Sequence, residues 1–420
     1  MNDNKIISGI DIGTTKIVVI IAEKKEGAIN IIGFGKSNSV GLERGTVVDI
    51  SKTIKSIESA VKEAEKQANI EIDSAYVGLT GDHITGINCT GNISISSGDY
   101  RNPGGERITQ KHIDKVLEHS RAINLSPERK ILHTLSKEFK VDERPGIKNP
   151  IGLSGNRLEA NVHLVTIARN IENDLKTCIE ECGLDIDGFI LEPLASSASV
   201  LDINEKKLGS ILIDIGGGTS DIIIFNNNSI IHTGAIPFGG DNLTKDIAYG
   251  LNTSLENAEI LKCKNGIAKE SLADEQKIIK ILGTNGRQDK EISEKFLASI
   301  IQPRVNEIFT LAKTEVERSD YNGDFTFGII LTGGGASLNG IIDIAQEIFN
   351  MPVKIGIPDT INGKAEIINN PRYATGIGII KYVIENKEML NEQLEVNNNN
   401  NNSIINTFIN KIKNVFKKIN

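Results

Sequence analysis

Hydrophobic positions along this chain fall into two rhythms. Short runs of β-branched and aliphatic residues, Ile17–Ala22, Ala28–Gly35, Ala75–Leu79, Ile211–Ile215 and Ile222–Phe225, are bounded by Gly, Asp, Asn and Thr. Such runs read as buried strands. Between them the apolar residues switch to a helical period. Ile54, Ile57, Val61, Ala64 and Ala68 share one face of a helix expected from about Ser51 to Ala68, with Asp49 or Ser51 as its N-cap. Further on, Leu164–Ala168 and Gly188–Leu191 read as strands around an Ile171–Cys182 helix. Ile292–Arg318 reads as a long helix, interrupted or kinked at Pro303. Phe327–Leu331 is a further strand and Leu338–Phe349 the helix after it. Ala374-Thr375-Gly376-Ile377-Gly378 opens a last core helix whose small residues permit close packing. Strand and helix alternating in this way predict α/β domains.

Two stretches depart from that rhythm. From about Asp82 to His163, Ile84–Ile95 alternates, Thr109–Ile123 is amphipathic, and Ile131–Val141 is strand-like. This predicts a small α+β module inserted into the first domain. Past Asn386 the core pattern stops, and Asn397–Asn402 is an unbroken asparagine run that buries no apolar surface, as expected of a tether. Ser403–Asn420 then resumes a helical period. At about 100° per residue, Ile404, Ile405, Phe408, Ile409, Ile412, Val415, Phe416 and Ile419 fall within an arc of roughly 140°. Lys411, Lys413, Lys417 and Lys418 lie outside it, and no acid is present. A helix about 27 Å long with that makeup suits the plane of an anionic membrane surface. The contact residues would be Ile405, Phe408, Ile409, Ile412 and Phe416 with the four lysines.

Candidate chemistry gathers at two similar turns. In Gly209–Phe225 a strand ends at Asp214, Gly216, Gly217, Gly218 and Thr219 form a turn, and Asp221 opens the returning strand. Ser8–Lys16 repeats the plan with Asp11, Gly13, Thr14, Thr15 and Lys16. Consecutive amides in such turns make an anion nest, and glycines there are expected to supply φ > 0. Carboxylates beside a phosphate nest call for a divalent cation such as Mg²⁺ between them, which makes Asp11 and Asp214 the metal-side candidates. Gly333, Gly334 and Gly335 form a third glycine turn, and Gly239 and Gly240 open a helix as a further phosphate-side candidate. Glu259 and Lys262 sit three apart on one helical face, the spacing of an ordinary surface ion pair. Glu192 stands where a strand turns into a helix; alone it reads as a helix N-terminal charge.

Composition trims the alternatives. Lys+Arg 47 against Asp+Glu 55 gives a net charge of −8, so the body offers no nucleic-acid footprint, and Trp is absent. Cys178 and Cys182 have helical spacing but no second pair to complete a metal site, so free thiols in a reducing cytoplasm are expected. His133 and His163 read as ordinary strand histidines. No apolar run reaches membrane-spanning length, and the polar Met1–Lys5 is no signal peptide.

Asp11-Ile12-Gly13-Thr14, Asp214-Ile215-Gly216-Gly217-Gly218-Thr219 and Leu331-Thr332-Gly333-Gly334-Gly335-Ala336, in that order, resemble the nucleotide site of the actin, sugar-kinase and heat-shock-chaperone superfamily. With Ile131-Leu132-His133 and Gly146–Ala160, the chain resembles the FtsA family of bacterial cell-division proteins from Ile6 to Glu385. The resemblance implies an actin-like (ribonuclease H-like, duplicated) two-domain α/β fold with an inserted small α+β module, a disordered linker and a C-terminal amphipathic helix. The implied divisions are 1–81 with 164–197, 82–163, 198–237 with 308–386, 238–307, the linker 387–402 and the helix 403–420. It also implies ATP with Mg²⁺ as the cofactors, that Glu192 orients an attacking water, that Glu259 and Lys262 border ribose and adenine, and that hydrolysis is slow at most. Implied partners are the C-terminal peptide of the tubulin-like protein FtsZ, met near Arg304 on 238–307, further copies of the chain, an anionic membrane and later division proteins. The implied location is the cytoplasmic side of the membrane at the division site. A small-molecule kinase of the same superfamily and the related pilus-assembly actin homologue are the rival readings; the tether and basic amphipathic tail speak against both.

Overall fold

The structure is a computed structural model that describes residues 5–25, 27–95, 105–281, 283, 288–319, 321, 323–359, 361–363 and 365–386. The tether and the amphipathic segment expected at 387–420 lie outside the described residues. In the first half, strands β1 (Lys5–Ile12), β2 (Lys16–Lys25) and β3 (Ala28–Asn38) form an antiparallel meander. Helix α1 (Ile50–Ala68) follows, its N-cap Asp49 accepting from the Lys52 amide at 3.1 Å. Strand β4 (Ser74–Leu79) then lies parallel to β1. The Ile17–Ala22 run is fully buried because helices cover both faces of this sheet.

Next comes the inserted unit: β5 (Thr85–Ser94), α2 (Gln110–Arg121), β6 (Arg129–Val141), β7 (Arg144–Ile147) and β8 (Arg157–Ala168). Its strands make a separate four-stranded sheet in the order β7-β6-β8-β5, with its own apolar cluster around Ile113, Val116, Phe139 and Leu158. Leu164–Ala168, anticipated as a return to the first sheet, is the second half of β8 and stays paired with β5 and β6. No glycine or proline interrupts β8, so the strand runs on to Ala168. Helix α3 (Arg169–Glu180), strand β9 (Asp185–Leu191) and helix α4 (Glu192–Val200) complete the first half, giving a sheet order of β9-β4-β1-β2-β3.

The second half repeats this plan. Strands β10 (Ser210–Ile215), β11 (Ser220–Asn226) and β12 (Ser229–Ile236) form the meander. Helices α5 (Gly240–Leu251) and α6 (Leu255–Asn265) and the ribbon of β13 (Ile278–Ile281) and β14 (Lys290–Ser293) follow. Helix α7 (Glu294–Glu317) leads back to β15 (Ile329–Thr332), α8 (Ile341–Phe349) and β16 (Val353–Ile355). The order is β12-β11-β10-β15-β16, again with two antiparallel partners on one side of the first strand and two parallel on the other. Of the interruption or kink expected at Pro303, the interruption is absent, since α7 runs through it for 24 residues. Buried Leu297, Ile301, Val305, Ile308 and Phe309 bind one face of α7 to the core, which outweighs the hydrogen bond that proline removes.

A helix over 374–386, labelled α9, crosses α4 between the halves. The small residues noted at its start permit the crossing. A Cβ on Gly378 would collide with the Ala195 carbonyl, and Ser199 Oγ donates to the Ala374 carbonyl at 2.7 Å. Residues of both halves, including Val18, Ile20, Leu212, Ile223 and Ile377, share the apolar cluster around this crossing.

Candidate functional site

The two Asp-x-Gly turns face each other across a cleft of about 410 Å³ between the halves. Each closes in the same way: the Gly13 amide donates to the Lys16 carbonyl at 3.0 Å, and the Gly216 amide to the Thr219 carbonyl at 2.9 Å. Among the described residues the amides of Thr14, Thr15, Gly217 and Gly218 have no acceptor, which leaves them available to an anion that enters. The glycines of the second turn do not take positive φ, contrary to expectation. Gly217 and Gly218 are required by crowding. A Cβ on Gly217 would collide with the Thr15 hydroxyl and one on Gly218 with Thr14, so the turns can meet only if these positions lack a side chain. In the third turn Gly333 does take the left-handed region, at φ +82, beside the Asp214 carboxylate.

Four carboxylates surround this point. Asp11 bonds Lys16 Nζ at 3.1 Å. Asp214 accepts from Ser196 Oγ at 2.5 Å and Thr375 Oγ1 at 3.2 Å, one from each of the crossing helices. Both oxygens of Asp221 lie 2.7 Å from Thr80 Oγ1. Glu192 is buried, and its Oε1 has no hydrogen-bond partner. Burial, followed by the charges of Asp11, Asp221 and Asp214, pushes Glu192 well above the usual carboxylate range. Burial also raises Asp214, against the opposing bonds from Ser196 and Thr375, and lifts Asp221 to about 7. Such a crowd of acids with one nearby ammonium is what a divalent cation relieves. Among the described residues no three acidic, histidine or cysteine side chains are arranged to hold a metal ion directly. A cation here would therefore be carried by Asp11 and Asp214 with water completing its shell.

The other end of the cleft is less acidic and more apolar. Glu259 and Lys262 pair at 2.6 Å, and Lys262 Nζ also donates to the Gly240 carbonyl at 3.0 Å and to Thr244 Oγ1 at 2.8 Å. Burial alone would raise Glu259, but Lys262, Thr244 and Cys263 together bring it below its ordinary value. Apolar Leu338, Ile308 and Phe309 line the same region, next to Gly333–Gly335.

The cleft thus collects Asp11, Gly13, Thr14, Thr15, Lys16, Glu192, Asp214, Gly216, Gly217, Gly218, Thr219, Asp221, Gly240, Glu259, Lys262, Gly333, Gly334 and Gly335. Gly239 stands behind it. The amides of Gly240 and Asp241, expected to face a phosphate, donate instead at 2.9 Å to the Gly216 and Gly217 carbonyls, so the start of α5 buttresses the turn. Arg304 lies outside the cleft, engaged with Asp246 at 2.6 and 3.0 Å and with Glu307, and stacked over Phe238. His163 bonds Asn88 and Thr233, and His133 Nε2 accepts from the Leu191 amide; both are structural. Thr80, Ser196, Thr375, Lys36 and Arg372 also line or brace the cleft without having been singled out. Thr375 was visible only as a small helix residue; Thr80 meets Asp221 from 141 positions away, a separation at which one sequence carries no local signal.

Comparison with known proteins adds lineage to this geometry. A profile described as Cell division protein FtsA matches residues 211–378, and one described as SHS2 domain inserted in FTSA matches residues 81–166. Cell division protein FtsA of Pseudomonas aeruginosa is 39% identical over 386 residues, which cover 92% of this chain and 91% of the relative. The protein of the same name from Escherichia coli K12 is 35% identical over 402 residues, covering 94% and 93%. Among solved structures, the PilM-PilN type IV pilus biogenesis complex aligns with TM-score 0.63 at 13% identity, over 89% of this chain and 97% of that one. MreB 5 of Spiroplasma citri bound to AMPPNP aligns with TM-score 0.52 at 14% identity, over 94% and 99%. At such identities the structural likeness speaks for the fold alone, and that fold is actin-like.

Proposed function

The chain belongs to the FtsA family of cell-division proteins and has an actin-like fold; from that premise we propose that it is an ATP-binding adaptor which tethers the tubulin-like division protein FtsZ to the membrane. One observation carries the nucleotide part: matching turns from two halves of identical sheet order meet tip to tip, with unbonded amides between and Asp11 and Asp214 on either side. The amides of Thr14, Thr15, Gly217 and Gly218 would hold the β- and γ-phosphates, and Lys16 would add charge. Asp11 and Asp214 would carry Mg²⁺ through water, and Gly333–Gly335 with Glu259 and Lys262 would border the nucleoside. MreB 5 is a fold relative whose structure contains AMPPNP, which supports a nucleotide in this cleft. Calorimetry tests it: Asp214→Ala should abolish Mg²⁺-dependent ATP binding, and wild-type affinity in that variant would overturn the assignment.

The adaptor part rests on family membership and on the pattern of 403–420. Residues 82–163 are proposed as the inserted module, 238–307 as the smaller subdomain of the second half, and 387–402 as the tether. On 238–307 the acidic FtsZ peptide would compete with Asp246 for Arg304. Self-assembly would place several amphipathic tails on one membrane, and avidity would then strengthen a reversible attachment. Recruitment of later division proteins completes the proposal.

A further inference from the structure

The segment that leads from the first sheet into the inserted unit is tied to the phosphate turn of the opposite half. Thr80 directly follows β4, and only Gly81–Ile84 separate it from β5. Its hydroxyl lies 2.7 Å from both oxygens of Asp221, with both side chains buried. This is a bond across the cleft: Thr80 belongs to the first half and Asp221 to the second.

The same short segment is fastened to the four-stranded sheet. Arg129, at the start of β6, donates to the His83 carbonyl at 2.9 Å, to Thr85 Oγ1 at 3.1 Å and to the Thr166 carbonyl at 3.0 Å. Gly81 takes φ +140, which folds the chain back so that the Ile84 amide reaches its carbonyl at 3.2 Å. The His83 ring is enclosed there with neither nitrogen bonded. The segment is therefore held by Thr80 at one end, by Arg129 at the other, and by Ile84, which packs against the cluster shared by the halves and against the core of the first half.

The four-stranded sheet also rests on the second half. His163 Nε2 and Thr233 Oγ1 lie 2.8 Å apart, Lys148 bonds Ser229, and Asn88 Nδ2 reaches the Ile231 carbonyl at 3.4 Å. These three contacts fall on β12, the outer strand of the meander that holds Asp221. The unit is thus joined to the first half by its chain, by the Lys130–Glu172 ion pair and by His133 beneath the Leu191 amide, and to the second half by side chains on β12, so a change in the angle between the halves must disturb one set of attachments.

We propose that Thr80 is a positioning residue whose bond to Asp221 couples the contents of the phosphate site to the seating of the inserted sheet. The inference rests on the nucleotide reading above. An entering Mg²⁺-triphosphate changes what surrounds Asp221, and Asp221 passes that change most directly to groups bonded to it. Thr80 is such a group, and it is continuous with the entry into the sheet. Removing its hydroxyl leaves the amides of both turns in place, so it uncouples without emptying the cleft.

Hydrogen–deuterium exchange on the full chain, with and without Mg²⁺-ATP, tests this alongside calorimetry. In wild type, Mg²⁺-ATP should change amide exchange across residues 81–95 by about tenfold, the scale of one hydrogen bond to a charged acceptor. Thr80→Val should still bind ATP but lose that response, and Thr80→Ser, which restores the hydroxyl, should regain it. A Thr80→Val protein that binds ATP and keeps the full response overturns the coupling. So does a wild type that binds ATP without any response at 81–95. A wild type that fails to bind ATP in the calorimeter overturns the nucleotide reading first, and the coupling with it.

Discussion

At the scale of single residues the cleft is organised around charge that has been forced together. Glu192 is the clearest case, because its buried Oε1 has no partner and three aspartates lie near enough to raise it. A helix N-terminal charge would be expected to sit near water and to find a donor; this group is aimed inward at Gly78 instead. Its placement supports the water-orienting role over the purely structural one. Glu192→Gln should lower ATP hydrolysis by about a hundredfold while leaving ATP affinity nearly unchanged. Phosphate release in single-turnover assays checks it, and a variant that hydrolyses at the wild-type rate returns Glu192 to a structural part. The residues with backbone duties were legible in the chain, since Asp-x-Gly turns announce themselves locally. Those that act by reaching across were not, because Ser196, Thr375 and Thr80 are chosen by what the fold brings opposite them.

At the scale of elements the period of the hydrophobic pattern served well where an element is long and one-sided. Helix α1 was anticipated within one residue of its start, since Asp49 caps it and its apolar face is regular. Tertiary contacts decide two further points. Pro303 does not break α7, because the helix is pinned to the core on both sides of it. Gly217 and Gly218 answer to the opposing turn and not to their own dihedral angles, which no local rule could reveal. The seam between β8 and β12 makes a pH prediction. Burial, then His232 and Lys137, holds His163 down to about 3, against an ordinary 6.5. The unfolded chain therefore binds a proton there that the folded chain does not. Stability is fully present above pH 6.5 and is lost as pH falls from there towards 3. In that window wild type should lose about 1.4 kcal/mol per pH unit more than His163→Gln. Denaturant titrations at a series of pH values check this, and parallel curves for the two proteins would contradict it.

At the scale of the whole molecule, two halves of one topology enclose a cleft, an inserted sheet straddles them, and a basic amphipathic segment follows in the sequence. The duplication was readable from two similar turns about 200 positions apart, Asp11 and Asp214. How the inserted sheet leans on β12 was not, because polar contacts such as His163 with Thr233 leave no periodic trace. No helix among the described residues is long and apolar enough to cross a membrane. The most direct measurement of the adaptor role is flotation of FtsZ polymers with vesicles containing acidic lipid, in the presence of Mg²⁺-ATP. With the full chain the polymers should rise with the vesicles, and with residues 403–420 deleted they should stay at the bottom. Polymers that float equally well with the truncated chain, or that fail to float with the full one, would contradict the account.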